Sequence, residues 1–500
     1  MRKELLAKNT AASLMAQITA LICGFILPRL FLQHFGSDVN GLVNSITQFL
    51  SVISFLELGV GAVVESSLYK PLAEKDNQQI SKVMVSANKF FRRLAQILFV
   101  YVLVLMVVYP LIANQNFGFL YTATLIAAIS ISSFAQYYFG IVNALLLNAD
   151  QRGYIQYNAQ TITVVLNTIV CAAMISMNGT IQMVKLATSL IYLARPLALH
   201  FYVNRNYQID WKIKYTEEPI KQKWNGVAQH VAAVVLDGTD TIVLTVFSTL
   251  SNVSIYSVYF LVVKGVKTLF LSMTNGIQAL IGELWAKQEL EELNRTFSWM
   301  EWIIHTGTTF AFGLTAVLIV PFVRVYTLEI HDANYIQPLF AALIVAAHAG
   351  HCLRLPYNSM ILAGGHYKQT QSNYIVAAIL NIIVSVVTVK AWGLIGVAIG
   401  TLVAMGYQTV WMAVYDSKNL IKWPLRNFAK QIFIDVLTVI IGFWATSMIA
   451  MSEVTYIEWF FLAVKTAVIW VVIVGALNMI FYRDKMQSMI HKICAKVKRG

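Results

Sequence analysis

Long apolar runs separated by short polar segments recur along the whole chain. Because a helix needs about 20 apolar residues to cross the hydrocarbon core of a bilayer, this pattern predicts an all-α polytopic membrane protein with about 14 transmembrane helices. The predicted spans cover residues 10–34, 41–69, 94–114, 117–147, 159–177, 181–203, 224–248, 253–284, 301–323, 336–362, 373–390, 393–415, 431–451 and 458–482.

The composition supports the same fold class. Of the 500 residues, 58% are hydrophobic and 12% are charged, whereas a soluble globular chain carries roughly 25% charged residues. The basic segment MRKELLAKNT precedes the first apolar run, which is longer than the apolar core of a signal peptide and lacks a cleavage pattern. We therefore expect a retained first span that starts in the cytoplasm.

Successive loops between the predicted spans alternate in character, because one set is basic and the other is almost free of lysine and arginine. The loops and termini of one side carry 28 of the 37 lysines and arginines, and the other side carries two, Arg324 and Lys390. Because cytoplasmic loops are enriched in Lys and Arg, both termini are predicted to be cytoplasmic. This asymmetry also explains the net charge of +13, so nucleic-acid binding is not needed to account for it.

Several charged residues fall inside predicted spans, where ionisable groups are costly and usually functional. The acids counted there are Glu57, Glu65, Asp237 and Asp240. The cations outnumber them, so the embedded part of the chain has a positive balance. They are Arg29, Lys185, Arg195, Lys264, Lys267, Arg354 and Lys465.

Lys264 and Lys267 interrupt the apolar stretch YFLVVKGVKTLFL. Residues three apart share a helix face, so the pair either lines a cavity that binds an anion or extends to the membrane surface. Lys267 lies deeper in the span and is the stronger candidate. Arg29 follows Pro28, which can kink the first helix and direct the guanidinium inward; an interfacial arginine is the alternative.

A second polar stripe runs through the span at 336–362. His348, His351 and Arg354 are spaced three residues apart in HAGHCLRLPYN, and Asn358 continues the stripe. A metal centre would need more ligands at a converging spacing, so no metal site is predicted. We interpret the stripe as the wall of a water-lined cavity.

Three acids, Glu57, Asp237 and Asp240, have several interpretations. They pair with the embedded cations, bind Na⁺ or H⁺, or, for the two aspartates, cap a local helix break at Gly238. Pairing is the simplest. No cofactor is predicted, and coupling to Na⁺ or H⁺ stays open.

Two weak internal matches indicate a repeat. Residues 58–70 align with 275–287 at an offset of 217, and residues 166–170 align with 380–384 at an offset of 214. Copies of six spans each have the same orientation and form a pseudo-repeat about an axis along the membrane normal, as in transporters. The predicted domains are an N-terminal lobe (1–223), a C-terminal lobe (224–430), accessory spans 13–14 (431–482) and a basic cytoplasmic tail (483–500).

The sequence lacks the motifs of soluble enzymes. There is no phosphate-binding glycine loop, HExxH, CxxC or nucleophile elbow. No external loop is long enough for a catalytic domain. The chain is therefore predicted not to be an enzyme.

Two stretches resemble a known transporter group. ILPRLFLQHFGSDVNGLVN with FLELGVGA, and RLPYNSMILAGGHYKQTQSNYIVAAILNIIVS with WGLIGVAIGTL, are similar to the Wzx-like lipid-linked oligosaccharide flippases and polysaccharide exporters of the multidrug/oligosaccharidyl-lipid/polysaccharide (MOP) superfamily. The resemblance covers nearly the whole chain. It matches Arg29 to the arginine of the first span and Asp240 to an acidic position of the seventh. Lys264 and Lys267 stand where relatives often place cations.

The resemblance implies two six-helix lobes around a cavity that opens alternately to each side of a bacterial cytoplasmic (inner) membrane. The implied substrate is a polyprenyl-pyrophosphate-linked oligosaccharide, flipped to the outer leaflet for surface polysaccharide assembly. The implied partners are this lipid, membrane lipids and polysaccharide assembly proteins. A MATE-like multidrug or cation antiporter is one alternative, and a membrane-embedded glycan polymerase or ligase is another.

Overall fold

The protein was analysed as a computed structural model, which describes residues 2–113, 117–220, 227–421 and 423–497. Within these ranges the chain is helical, with short turns between helices and no β-strand. Twelve of the described helices are long and apolar enough to cross a membrane. They confirm all the predicted spans except 41–69 and 224–248, which are helical where described but include side chains or residues outside the description.

The chain divides into two compact units, Met1–Ser254 and Ile255–Gly500, called here the first and second units. The repeat in the sequence places its boundary earlier, at 223/224. The difference concerns one helix, α8, which packs against α1 and α2 of the first unit. The lobes defined by the repeat stay a prediction, because a division by contacts does not test a division by duplication.

The helices of the first unit enclose a continuous apolar core that includes Phe91, Tyr109 and Leu146. Short 3₁₀ and π segments, Val52–Ser54 and Gln136–Gly140, interrupt the helical ladder. The helices are α1 (Arg2–Ser51), α2 (Phe55–Glu74), α3 (Asn77–Ile112), α4 (Phe119–Ala135), α5 (Ile141–Ala149), α6 (Tyr154–Ser176), α7 (Ile181–Asn206) and α8 (Val227–Phe247).

The connection between the first two predicted spans differs from expectation. Residues 35–40 were expected to form a loop, but α1 continues through them to Ser51 with a sharp bend at Gly36. Gly36 has φ 81° and ψ 176°, a conformation that is essentially restricted to glycine. The helix that forms the predicted second span is interrupted after Ser51 by the 3₁₀ segment Val52–Ser54. Irregular backbone at membrane depth is tolerated where it is buried in protein or lines a cavity.

Beyond this bend, α1 is joined to neighbouring segments of the first unit by polar contacts. The amide of Asn40 donates to Ser254 Oγ at 2.7 Å, and Ser45 shares a hydrogen bond of 2.6 Å with Thr245 of α8. The Tyr109 hydroxyl of α3 also donates to Ser45, at 2.7 Å. Because each hydroxyl is buried and paired, these contacts join α1 to three other helices, α3, α8 and α9 (Leu250–Ala286), with their hydroxyls satisfied.

Gly41 permits the closest approach in this region, and its replacement by alanine is expected to destabilise the protein. An added Cβ would lie 1.9 Å from the backbone oxygen of Leu250, so the backbone must move, at a cost typical of overpacking, about 1–3 kcal/mol. Gly406→Ala is the matched control, because a Cβ at that helical glycine meets nothing within 4 Å. The thermal unfolding midpoint in detergent should be lower than that of the wild type for Gly41→Ala and unchanged for Gly406→Ala. Equal midpoints for the two variants would contradict the close approach of Gly41 to Leu250.

The second unit is organised around the long helix α10. Helices α11 and α13 both pack against α14, while α15 and α16, the predicted accessory spans, pack against α10 and each other. The helices are α9 (Leu250–Ala286, which begins at the end of the first unit), α10 (Leu290–Tyr326), α11 (Pro338–Leu353), α12 (Leu355–Ala363), α13 (Tyr367–Trp392), α14 (Leu394–Asn419), α15 (Leu425–Thr446), α16 (Tyr456–Phe481) and α17 (Arg483–Val497).

Candidate functional site

The two lysines of α9 occupy different environments. Lys267 retains 5% of its exposure, whereas the side chain of Lys264 is exposed. Both stand on one continuous helix, since α9 runs without interruption from Leu250 to Ala286. Lys267 is therefore the lysine held inside the protein, and Lys264 lies at the edge of the same face.

The polar stripe predicted at His348, His351 and Arg354 is also buried, at 2%, 9% and 6% exposure. Helix α11 ends at Leu353 and α12 begins at Leu355, with proline in its first turn. A proline is favourable there because its missing N–H would have no helical acceptor. Arg354 thus occupies the junction between two helices, in the interior of a predicted span.

Arg354 and His351 contact each other directly. Nη2 of Arg354 lies 2.9 Å from Nδ1 of His351. A guanidinium can only donate, so Nδ1 accepts and the imidazole is neutral, with its proton on Nε2. The contact orients the guanidinium.

These side chains converge with Lys267. Arg354, Lys267 and His348 all lie close enough to the His351 imidazole to influence it electrostatically, and Lys267 and Arg354 lie equally close to the neighbouring Cys352 thiol. We call Lys267, His348, His351 and Arg354 the buried basic cluster. It lies within the second unit, and the structure brings together four residues that the sequence proposed from two separate motifs.

The remaining predicted site residues lie in the first unit. Asp240 of α8 is buried, at 2% exposure, and Arg29 of α1 is half-buried. The side chains of Glu57 and Asp237 lie outside the described part of the chain. A role for these four residues in binding or ion coupling stays a prediction.

The sequence missed a second buried polar group in the second unit. On α10, His305 Nδ1 lies 2.6 Å from Asp435 Oδ2 of α15, and Thr309 donates to the other carboxylate oxygen at 2.8 Å. On the same helix Glu301 accepts a hydrogen bond of 2.6 Å from the Tyr357 hydroxyl. We call Glu301, His305, Tyr357 and Asp435 the α10–α15 polar group.

A pattern in the sequence points to this group. Glu301, His305 and Thr309 are spaced four residues apart and so form a stripe on one face of α10. Asp435 stands four residues after Gln431, within the predicted span at 431–451. Glu283, Glu301, Asp435 and Glu458 also fall inside predicted spans, so the embedded acids number eight against seven cations. The predicted positive balance of the embedded part is therefore wrong.

A lysine of the C-terminal helix α17, in the predicted cytoplasmic tail, lies near this group. Lys485 of α17 donates to the backbone oxygen of Ser298 at 2.7 Å. Burial lowers the pKa of Lys485 to about 8, and the nearby Glu301 carboxylate partly opposes this shift. The predicted basic tail is thus, in part, packed against the second unit.

Comparison with known proteins gives a result for structure and none for sequence. No family model and no curated protein matches the chain. The lipid II flippase MurJ in an inward closed conformation matches with a TM-score of 0.71 at 13% identity, covering 95% of this chain and 99% of that chain. An inward-facing multidrug resistance MATE family transporter of the MOP superfamily matches at 0.65, with 13% identity and coverage of 80% and 94%. The Vibrio cholerae MATE transporter VcmN matches at 0.59, with 12% identity and coverage of 84% and 99%.

These similarities show the fold. The chain is a multi-pass membrane protein with the fold of MOP superfamily transporters, which confirms the resemblance at the level of architecture. A flippase and multidrug transporters share this fold, so the choice between their activities depends on the chemistry of the site.

Proposed function

We propose that this protein flips a polyprenyl-pyrophosphate-linked oligosaccharide from the cytoplasmic to the outer leaflet of a bacterial inner membrane, by alternating access. The observation that supports this most is the buried basic cluster of Lys267, His348, His351 and Arg354. It lies inside predicted membrane spans, where buried cations are rare unless they contact anions, carbonyls or a cavity.

A pyrophosphate suits this cluster chemically. Arg354 offers a planar fork of donors that fits phosphate oxygens, and Lys267 acts as a mobile point charge. In a site with little water these contacts are stronger than at the surface. The oligosaccharide would occupy a hydrated cleft and the polyprenyl tail would stay in lipid.

A multidrug or cation antiporter is the second candidate, because MATE transporters share the fold. An acidic site favours a cationic substrate, whereas the cluster of Lys267, His348, His351 and Arg354 is basic. A glycan polymerase or ligase is the third candidate, and the transporter fold of the neighbours argues against it.

Three further parts of the proposal come from the sequence. The excess of basic residues on one side favours cytoplasmic termini. Polysaccharide assembly proteins are natural partners for such a flippase. Coupling to Na⁺ or H⁺ is an open route for energy input, with Asp240, Asp237 and Glu57 as the candidate residues.

Deletion of the gene tests the proposal. In the deletion strain the lipid-linked oligosaccharide is expected to accumulate on the cytoplasmic leaflet, and the wild-type gene should restore surface polysaccharide. Unchanged intermediates together with new drug sensitivity would instead identify an antiporter. Accumulation of single repeat units on the outer leaflet would identify a polymerase or ligase.

A further inference from the structure

Arg195 of α7 is an embedded cation that the proposed pyrophosphate site does not use. It lies near the middle of the candidate membrane span Ile181–Asn206. An arginine at that depth almost always faces a water-filled cavity or a polar partner. The question is therefore what the Arg195 guanidinium faces.

Arg195 lines a cavity of about 540 Å³ within the first unit. The cavity lies between the end of α1, helix α4 with its π segment, α6 and α7. Its volume falls in the range of about 300–1,000 Å³ that is usual for small-molecule sites. Seven serine, threonine and glutamine side chains line it: Thr47, Ser51, Ser132, Ser133, Gln136, Gln160 and Thr163.

The backbone around the cavity departs from regular helix in three places. Gln136 and Tyr137 line the cavity from the π segment Gln136–Gly140, and π segments occur often at functional sites. The 3₁₀ segment Val52–Ser54 borders it on α1. Pro196 in α7 has no N–H, so the carbonyl of Tyr192 lacks its helical donor. Such irregularity at membrane depth is expected beside a hydrated cavity.

The guanidinium of Arg195 has capacity to bind a ligand. Its buried Nε has no hydrogen-bond partner among the residues that the structure describes. Among the described residues, the titratable side chains that influence it electrostatically are the phenols of Tyr157 and Tyr192, and neither is a carboxylate. Because a buried donor left unsatisfied is unfavourable, an anion that accepts from Nε would bind favourably.

We propose that this cavity binds an acidic sugar, a pyranose that carries a carboxylate. The two parallel N–H donors of Arg195 match a carboxylate, and the seven serine, threonine and glutamine side chains match sugar hydroxyls. The rings of Tyr137 and Tyr192 supply apolar surface for the C–H faces of the pyranose. A bare anion would leave most of the polar lining unused, and a neutral sugar would leave the guanidinium without its acceptor. The inference rests on the proposed function, since it assigns the acidic sugar to the transported oligosaccharide.

Binding of sodium glucuronate to the purified full-length protein tests the site. Glucuronate is expected to raise the thermal unfolding midpoint in detergent, and glucose or sodium acetate at equal concentration should raise it much less. In the variant Arg195→Gln the affinity for glucuronate should fall at least about tenfold, as expected for loss of a charged hydrogen bond. Lys185→Gln is the matched control, because Lys185 is an embedded cation of the same helix that contacts the Phe31 ring instead of the cavity.

Other outcomes would overturn the inference. Equal shifts with acetate or inorganic phosphate would mean general anion binding, and equal shifts with glucose would exclude a role for the carboxylate. If Arg195→Gln does not fold, Gln160→Ala serves instead and should weaken glucuronate binding severalfold. Unchanged binding in the folded variants would place the sugar elsewhere.

The same variants separate this inference from the proposed function. Normal export by Arg195→Gln, with no glucuronate binding to the wild type, would remove the acidic-sugar site and leave the flippase proposal intact. Glucuronate binding in a protein whose deletion leaves all lipid-linked intermediates unchanged would remove the flippase and leave the cavity as a sugar site of another transporter.

Discussion

Arg354→Ala and Lys267→Ala are each expected to reduce export of surface polysaccharide at least about 30-fold, with normal amounts of protein in the membrane. Removing one partner of a buried, hydrogen-bonded charge contact costs about 2–5 kcal/mol, and each 1.4 kcal/mol corresponds to about a factor of ten. Both side chains are buried, at 6% and 5% exposure, so solvent cannot replace the lost contact. Export is measured as surface polysaccharide relative to protein level.

The conservative variants distinguish a position that needs only a positive charge from one that needs two parallel hydrogen bonds. Lys267→Arg should retain much of the export, because it keeps the charge, whereas Arg354→Lys should lose most of it, because a lysine cannot form two parallel hydrogen bonds to phosphate. Lys264→Ala is the matched control on the same helix, since that side chain is exposed. Normal export by Lys267→Ala at normal protein levels would remove Lys267 from the mechanism.

Asp435→Ala is expected to destabilise the second unit by about 1–3 kcal/mol, because it leaves the buried His305 ring without its hydrogen-bond partner. His305 is fully buried, and its Nδ1 lies 2.6 Å from the Asp435 carboxylate. Thr309 loses its acceptor in the same variant. The effect should appear as a lower thermal unfolding midpoint in detergent and as less protein in the membrane.

A double-mutant cycle tests whether this effect belongs to the pair. His305→Leu combined with Asp435→Leu replaces both hydrogen-bonded partners by apolar side chains and should recover much of the stability that either single change removes. Glu453→Ala, at an exposed acid between α15 and α16, is the control and should change stability little. Additive single and double effects would show that the two side chains do not interact.

The α10–α15 pair also bears on the accessory helices. The repeat in the sequence leaves α15 and α16 outside the two six-span copies, but both pack against α10 of the second unit. The pair from α10 to α15 is one specific contact in this packing. We infer that loss of Asp435 would weaken the attachment of α15 first.

Some site residues can be identified from a short stretch of sequence, and others only from a contact in the tertiary structure. His348, His351 and Arg354 were found from spacing on a single helix, and Lys267 from one cation in an apolar run. Their convergence was not predictable, because it depends on how α9 packs beside α11 and α12. His305 and Asp435 are separated by 130 positions along the chain, and each alone resembles an ordinary polar residue near a membrane surface.

The amino-acid sequence by itself determined the fold class and nearly all of the spans. The hydrocarbon core imposes a minimum apolar length on each membrane-spanning helix and excludes unpaired charge. Both constraints can be recognised within a short stretch of sequence. Tertiary structure alone decided which embedded charges meet, where Gly36 and Val52–Ser54 break the helices, and that Arg195 lines a cavity. The physical reason is that these features arise from contacts between helices distant in sequence, where packing and pairing outweigh the local pattern.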